Sequence, residues 1–324
     1  MKYLELFSDT AKPARVSQIA LGCDHFGESV PADQVFRIMD AYYELGGNLF
    51  DTAHIYSWME TNGISESEKL LGEWMAANGV RQRSTIVTKG AHPERTAMQN
   101  SRISEKNVNE EIASSLETLR MDHVDIWFLH RDNPAMPVGE IIDMISPLVD
   151  KGQAMHLGAS NWSGKRLAEA NDYAKRNGRH GIEISQIQWS LARSTPEDWA
   201  DPTLVCMNDD EYGYYLSSRM PVMAFSPQAH GLFSKMIAES GDALPEKFRK
   251  RFPPENNRDR LERVREMSGR TGINPAGISL AYLTSAPFPA LPIIGSSKPE
   301  HIRDSLNFAD VTMGEEERQF LACE

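Results

Sequence analysis

Short apolar runs recur along the chain, separated by stretches of different periodicity. They read "VSQIALG" (16–22), "GNLFDT" (47–52), "STIVTKG" (84–90), "HVDIWFLH" (123–130), "QAMHLGAS" (153–160), "IEISQIQ" (182–188), "PVMAFSP" (221–227) and "ALPIIGS" (290–296). Each is short, and each is nearly continuous in apolar character, as a parallel strand buried on both faces requires. Helical patterns fill most of the gaps. "ADQVFRIMDAYYELGG" (32–47) has apolar residues at helical spacing and a glycine stop. "SEKNVNEEIASSLETLRM" (104–121) carries Val108, Ile112, Leu116 and Leu119 on one face. "SGKRLAEANDYAKRNG" (163–178) starts at Ser163 and stops at Gly178. Eight strands alternating with helices predict a single (β/α)8 barrel (TIM barrel) over residues 1–324. An open doubly wound sheet is the competing arrangement. No linker rich in proline, glycine or serine divides the chain, so one domain is expected.

Three segments are too long for simple strand-to-helix turns: 90–104, 191–208 and 228–255. All follow strands, which in a barrel places them as extended loops on the C-terminal, catalytic face. The stretch 236–255, rich in charge and proline, reads equally well as surface decoration.

Composition narrows the function. The chain has 324 residues, 40% of them hydrophobic, and a formal net charge of −12. The core is large, and the acidic balance argues against nucleic acid or an anionic membrane as partner. A small-molecule substrate is the expected partner. Cys23, Cys206 and Cys323 are far apart and form no CxxC, which excludes a zinc cluster or disulfide framework. The first residues hold no signal-peptide core, and no run of about 18 apolar residues occurs. A cytoplasmic protein is expected.

The chemistry sits where apolar strands end. In "GGNLFDTAHIY" (46–56), Asp51 follows the apolar pair Leu49–Phe50, and Tyr56 comes five residues later. A lone buried acid is costly. Lys89 ends the third run and His130 the fourth. In a closed barrel these ends meet at one rim, bringing together an acid, a lysine, a phenol and an imidazole. A purely structural Asp51–Lys89 ion pair is the plainer alternative. A phenol is a poor acid or base at neutral pH, and a nearby ammonium lowers its pKa. Lys89, held by Asp51, is expected to tune Tyr56, which donates a proton to a carbonyl oxygen oriented by His130. Hydride must then come from a cofactor. Asp24 and His25 invite a metal-hydrolase reading, but the rest of a ligand set is missing at suitable spacing, and no metal is expected.

These motifs together resemble the aldo-keto reductase family. "GGNLFDTAHIY" is similar to its Gly-x-Asn-x-Phe-Asp-Thr-Ala-x-x-Tyr signature, and "VTKG", "DIWFLHRDNP", "LGASNW", "ISQIQWSLA", "AFSPQAHGL" and "PIIGSSKPEHIRDSLN" follow in the family's order. The resemblance implies a catalytic tetrad of Asp51, Tyr56, Lys89 and His130. It also implies a nicotinamide dinucleotide lying across the barrel mouth. Ser160, Asn161 and Gln186 would hold the carboxamide, with Gln188 ranked behind Gln186, and Phe225 would stack on the ring. Ser226, Pro227, Gln228 and Gly231 would line the pyrophosphate. Gly295, Ser297, Lys298, His301, Asp304 and Ser305 would take the adenosine end. Lys298, next to a helix that opens at Pro299, favours NADP(H) over NAD(H). Asp24, His25, Trp58, His92 and Trp162 are candidates for substrate contact, whereas Trp127 and Trp189 read as packing residues.

The expected activity is reduction of an aldehyde or ketone, sugar-like carbonyls included, by an NADP(H)-dependent oxidoreductase. Two other functions compete with it. One is a cofactor-binding regulatory role like that of potassium-channel beta subunits, which the family also contains. The other is a sugar-directed dehydrogenase working in the oxidative direction.

Overall fold

In the computed structural model, which describes residues 1–57, 63–238 and 245–323, the apolar runs become strands whose period of two decides what faces inward. The strands are β1 (Tyr3–Leu6), β2 (Ala14–Ser17), β3 (Ala20–Gly22), β4 (Leu49–Asp51), β5 (Thr85–Gly90), β6 (Val124–Leu129), β7 (Ala154–Ser160), β8 (Ile184–Gln188), β9 (Val222–Phe225) and β10 (Ala290–Ile294). From β3 to β10 they close into a barrel with every neighbouring pair parallel. Helices separate the barrel strands in sequence. The fold is the (β/α)8 barrel.

Leu49, Val87, Ile126, Phe128, Ile184, Met223, Leu291 and Ile293 share one buried cluster. Their outward neighbours Phe50, Ile86, Trp127, Leu157, Ile187 and Ala224 belong to the larger core that includes residues of the helices. Side chains alternate along a strand. Two residues beyond Leu49, Val87, Phe128, Ile184 and Met223 come Asp51, Lys89, His130, Gln186 and Phe225. The pleat that fills the barrel thus delivers five of the expected site residues to its C-terminal mouth.

The helices form where the sequence supplies caps. Ser104 and Ser163 accept from Asn107 N and Arg166 N to start Glu105–Leu119 and Gly164–Asn177, and Gly178 closes the second in the left-handed conformation. Ser65 accepts from Glu68 N to start Glu66–Asn78. In that helix Gly72 lies against the Leu119 backbone, where an added Cβ would come within 2.5 Å of a carbonyl oxygen. This close approach lets the helices Glu66–Asn78 and Glu105–Leu119 pack over β5.

The first apolar run does not form one strand. β2 ends at Ser17 and β3 begins at Ala20, with β2 pairing antiparallel to β1 instead. The break is polar: Ser17 N donates to Asn48 Oδ1 (2.6 Å) and Gln18 Nε2 to Thr284 O (2.7 Å). The β1–β2 hairpin plugs the N-terminal end of the barrel, adding Leu6 and Val16 to the interior cluster. Phe7 stacks on His156 at 3.8 Å, and a His156 ring nitrogen bonds Lys12 O.

Of the long loops, 191–208 holds a short turn at Glu197–Trp199, and 228–255 includes the helices Leu232–Ala238 and Glu246–Arg251. The latter loop is more than decoration. Phe252 is fully buried, Phe248 stacks on His230 at 3.9 Å, and the Arg251 guanidinium lies 4.3 Å above the Trp199 ring. Among the described residues no helix is long and apolar enough to cross a membrane, and no group of His, Cys, Asp and Glu is arranged to hold a metal ion.

Candidate active site

Lys89 organises the site. Its side chain is fully buried, and Nζ donates to Asp51 Oδ2 (2.8 Å), Thr52 O (2.8 Å) and Tyr56 OH (3.1 Å). All three ammonium donors are thereby used. Gln186 Nε2 donates to the other Asp51 oxygen at 2.9 Å. The Tyr56 ring meets His130 edge-on at 5.7 Å, and His130 meets His92 in the same way at 4.5 Å. Asp51, Tyr56, Lys89 and His130 therefore converge as the sequence implies.

The segment carrying Tyr56 is held from behind. Ser65 Oγ lies 3.0 Å from both Ala53 O and Tyr56 O. Ser67 Oγ bonds Cys23 O at 2.7 Å and pairs with Thr52 Oγ1 at 2.8 Å. These serines come from the first turn of the helix Glu66–Asn78 and its cap. Sequence reasoning passed over them, although "SES" just before an apolar helix carries a capping signal.

Burial governs the protonation states. It works against the Lys89 ammonium, but Asp51 and Tyr56 outweigh it and keep the lysine above its ordinary value. Burial also lifts the Asp51 carboxyl, opposed by Lys89 and Gln186. Tyr56 is pushed up to about 12, again by burial, with Lys89 pulling the other way. Lys89 thus lowers the phenol as expected, but desolvation exceeds that effect, and Tyr56 is a protonated acid at neutral pH. His130 lies well below the usual imidazole range, through burial first and then the charges of His92, Lys89 and Arg131. Burial pushes His92 down to about 4, and its Nδ1 donates to Pro93 O at 2.5 Å. Both rings are neutral at pH 7.

The residues anticipated for a dinucleotide spread from this centre. Ser160 and Asn161 are buried beside β8; Asn161 Nδ2 donates to Ser160 Oγ (2.9 Å), and Asn161 Oδ1 accepts from Val205 N (3.3 Å). Gln186 is engaged with Asp51, and Gln188 Nε2 with Ser190 Oγ at 3.3 Å. Phe225 is partly exposed and meets Trp199 edge-on at 5.9 Å, leaving a ring face for stacking. Beyond β9, Ser226, Ala229, His230 and Gly231 all adopt positive φ, a tightly turned backbone that follows Ser226 and Pro227. Gln228 Nε2 donates to Ser305 Oγ (3.2 Å), joining this turn to the helix Pro299–Leu306. Gly295, Ser297, Lys298, His301 and Asp304 are exposed around the start of that helix. Lys298 is its N-cap and makes no side-chain capping bond. Ser296, not anticipated, accepts from Lys298 N and contacts His301 Nδ1, both at 3.1 Å. These features fit a dinucleotide: an aromatic face, a tight positive-φ turn beyond β9 and an uncapped helix start beside a lysine.

The substrate candidates divide. His92 lies against His130 at the mouth. Asp24 and His25 are exposed and pair at 3.3 Å. Asp24 also lies near Gly295, on the side expected to hold adenosine. Trp162 is a correction: it is fully buried, donates to Arg131 O at 3.4 Å and packs under Arg166, so it braces the segment after β6 instead of walling a pocket. Trp58 falls outside the described residues. Trp127 and Trp189 are buried packing residues.

Arg131 was not anticipated. It follows His130 directly, donates to His130 O (3.1 Å) and Thr203 Oγ1 (3.1 Å), and pairs with Asp201 at 3.3 Å. It thereby latches the loop 191–208 to the rim. The cue was its place in "LHRDNP", whereas nothing in sequence marked Asp201 or Trp199.

The chain has relatives among known proteins. A model of the aldo/keto reductase family matches residues 18–321. An uncharacterized oxidoreductase, YrpG, of Bacillus subtilis is 26% identical, covering 93% of this chain and 90% of its own. An aryl-alcohol dehydrogenase (NADP+) of Phanerodontia chrysosporium is 27% identical, covering 94% and 82%. A norsolorinic acid reductase of Aspergillus flavus is 26% identical, covering 97% and 79%. With its closed barrel and a near full-length family match, the chain belongs to the aldo/keto reductase family and is an oxidoreductase.

Proposed function

We propose that this protein reduces aldehyde or ketone groups, aryl carbonyls foremost, with NADPH as hydride donor and Tyr56 as general acid. The observation that carries the reading is the single ammonium of Lys89 bonded to both Asp51 (2.8 Å) and Tyr56 (3.1 Å), beside a neutral His130. A carbonyl oxygen placed between Tyr56 and His130 receives two donors, since a neutral imidazole keeps one N–H. As negative charge develops on that oxygen, the Tyr56 proton moves to it. Lys89 stabilises the phenolate that remains, and Asp51 keeps Lys89 charged and aimed. The nicotinamide, when bound, supplies the hydride. Ser160, Asn161 and Gln186 would hold its carboxamide, and Phe225 its ring face. Ser226, Pro227, Gln228 and Gly231 would line the pyrophosphate. Gly295, Ser297, Lys298, His301, Asp304 and Ser305 would hold the adenosine end.

The preference for aryl carbonyls is supported by the His92 ring lying against His130 at the mouth and by the aryl substrate in one relative's name. The test is loss of NADPH absorbance with a panel of aryl and alkyl aldehydes, ketones and aldoses. Turnover of benzaldehyde-like substrates above the alkyl and sugar members supports the reading; no turnover with any carbonyl overturns it.

A further inference from the structure

Behind the tetrad lies a buried acid that the proposed chemistry does not use. Glu68, in the first turn of the helix Glu66–Asn78, is fully buried. Its Oε1 accepts a short hydrogen bond from the Thr88 hydroxyl. The Ser115 hydroxyl, from the helix Glu105–Leu119, also acts on this carboxyl. Thr88 is the outward-facing neighbour of Lys89 on β5, so this carboxyl grips the strand that carries the catalytic ammonium. Ser65 and Ser67, on either side of Glu66 in the same turn, hold the Tyr56 carbonyl and the Thr52 side chain, and Thr52 O is itself a ligand of Lys89 Nζ.

Resting on the carbonyl-reductase reading above, we infer that Glu68 is a positioning residue of the reduction step. Its carboxyl, fixed on Thr88 behind Lys89, transmits gain or loss of a proton to Lys89 and Tyr56.

The charged groups facing Glu68 come from two elements. Lys89 lies on β5 and Glu111 on the helix Glu105–Leu119; Arg102 occupies the other side of Glu111 at 2.8 Å. Burial lifts the Glu68 carboxyl to about 7, Glu111 adds to the rise, and Thr88, Ser115 and Lys89 oppose it. Near neutral pH the group therefore changes charge. Protonated, it leaves Asp51 as the sole anion answering Lys89. Ionised, it places a second negative charge behind that lysine, which disfavours phenolate at Tyr56 and weakens it as an acid. Carbonyl reduction falls as pH rises through this titration. A carboxyl that only packs and hydrogen-bonds has no such effect on the rate.

The experiment measures single-turnover NADPH oxidation from pH 5.5 to 8.5 in wild type, Glu68→Gln and Thr88→Val. Wild type loses roughly twofold to fivefold in rate across an inflection near neutrality, a shift of a few tenths of a pKa unit in an acid catalyst. Glu68→Gln keeps the shape of the side chain but has a flat profile. Thr88→Val removes a hydroxyl that favours the ionised form, so its inflection moves to higher pH. NADPH affinity stays at the wild-type level in both variants. Infrared titration of the resting protein follows the protonated carboxyl band that Glu68→Gln removes, with no need for turnover. If no carbonyl is reduced, the functional reading fails whatever that band does. If reduction proceeds but Glu68→Gln keeps the inflection, or the band titrates with no change in rate, the positioning role is overturned. Should Glu68→Gln not fold, an inflection unmoved in Thr88→Val overturns it equally.

Discussion

Gln186 Nε2 donates to Asp51 Oδ1 at 2.9 Å, on the side of the carboxylate opposite Lys89. The contact fixes the amide orientation, because only the NH2 end can meet a carboxylate. Any further partner of Gln186 on Oε1 must then be a donor, as the NH2 of a nicotinamide carboxamide is. One side chain thus joins the tetrad to the expected cofactor position. Gln186→Leu is expected to weaken cofactor binding up to about tenfold, since it removes a neutral hydrogen bond to the carboxamide worth roughly 0.5–1.5 kcal/mol, and to slow turnover, since Asp51 loses a donor. Quenching of protein fluorescence by NADPH, together with steady-state rates, checks both effects. Unchanged binding would confine Gln186 to the support of Asp51.

Tyr56→Phe removes the proposed proton donor while leaving the ring. Reduction is expected to fall about a hundredfold or more, with NADPH affinity close to wild type. Because burial holds Tyr56 up to about 12, its own ionisation leaves the wild-type rate undiminished through pH 9. A variant within threefold of wild type ends the role assigned to Tyr56.

Lys89→Met cuts the bonds to Asp51, Thr52 and Tyr56 together. Asp51 is left buried and charged beside Gln186 alone, a loss of about 3–5 kcal/mol when a buried pair is broken on one side. The melting temperature should drop by several degrees, and turnover should fall with the loss of phenolate stabilisation. Calorimetry and single-turnover kinetics measure the two separately. A variant of normal stability and normal rate contradicts the pairing as the basis of catalysis.

The candidate site was readable because strand alternation carries information across the barrel. Once Leu49, Val87, Phe128 and Ile184 face inward, Asp51, Lys89, His130 and Gln186 must follow at the mouth. The net protonation of Tyr56 was not readable, since it depends on how deeply the phenol is buried, and burial outweighs the ammonium. The β1–β2 hairpin was hidden because "VSQIALG" looks like one apolar run. Its break is made by Asn48 and Thr284, each far away in sequence. The latch of Arg131 to Asp201 spans 70 residues, and loops of this kind carry no periodicity to betray their partners. Trp162 was misplaced for a related reason: adjacency to Asn161 says nothing about which way a bulky ring turns.

Acid should destabilise the fold through its buried histidines. His54, His92 and His230 are each pushed down to about 4, chiefly by burial, from an ordinary value of 6.5. Between those values the unfolded chain binds protons that the folded chain refuses, so stability falls as pH drops from 6.5 towards 4. One such group is worth at most roughly 3 kcal/mol. Glu68 runs the other way: lifted to about 7, it takes up a proton in the folded state first and adds stability as pH falls from 7 to 4.5. Asp51, Glu111, Asp132 and Glu211 are lifted as well, but from ordinary values of 3.8 to 4.5, whereas His130 joins the lowered histidines. The histidines, which start at 6.5, govern the window between pH 7 and pH 5, and a lower urea midpoint at pH 5 than at pH 7 is expected. His230→Phe preserves the stack on Phe248 and should reduce the slope of stability against pH by about one proton. An unaltered slope would mean that His230 titrates normally in the fold.

Cofactor choice is expected to turn on Lys298. It is the N-cap of the helix Pro299–Leu306, its side chain is exposed, and it makes no side-chain capping bond. Pro299 occupies the first helical position, where its missing N–H costs nothing. The remaining free N–H groups and the ammonium make a setting for the 2′-phosphate of NADPH. His301 is exposed on the same turn, with Nδ1 near Ser296 Oγ at 3.1 Å. NADPH is expected to bind more tightly than NADH, and Lys298→Ala to narrow the gap about tenfold, the worth of one charge-assisted contact. NADH affinity should barely change, because NADH has no phosphate at that position. Fluorescence titration of both cofactors on both proteins gives the four constants needed. Equal loss for NADPH and NADH would assign Lys298 to the adenosine or the helix itself. A preference left intact would place the reader of the phosphate elsewhere on the rim.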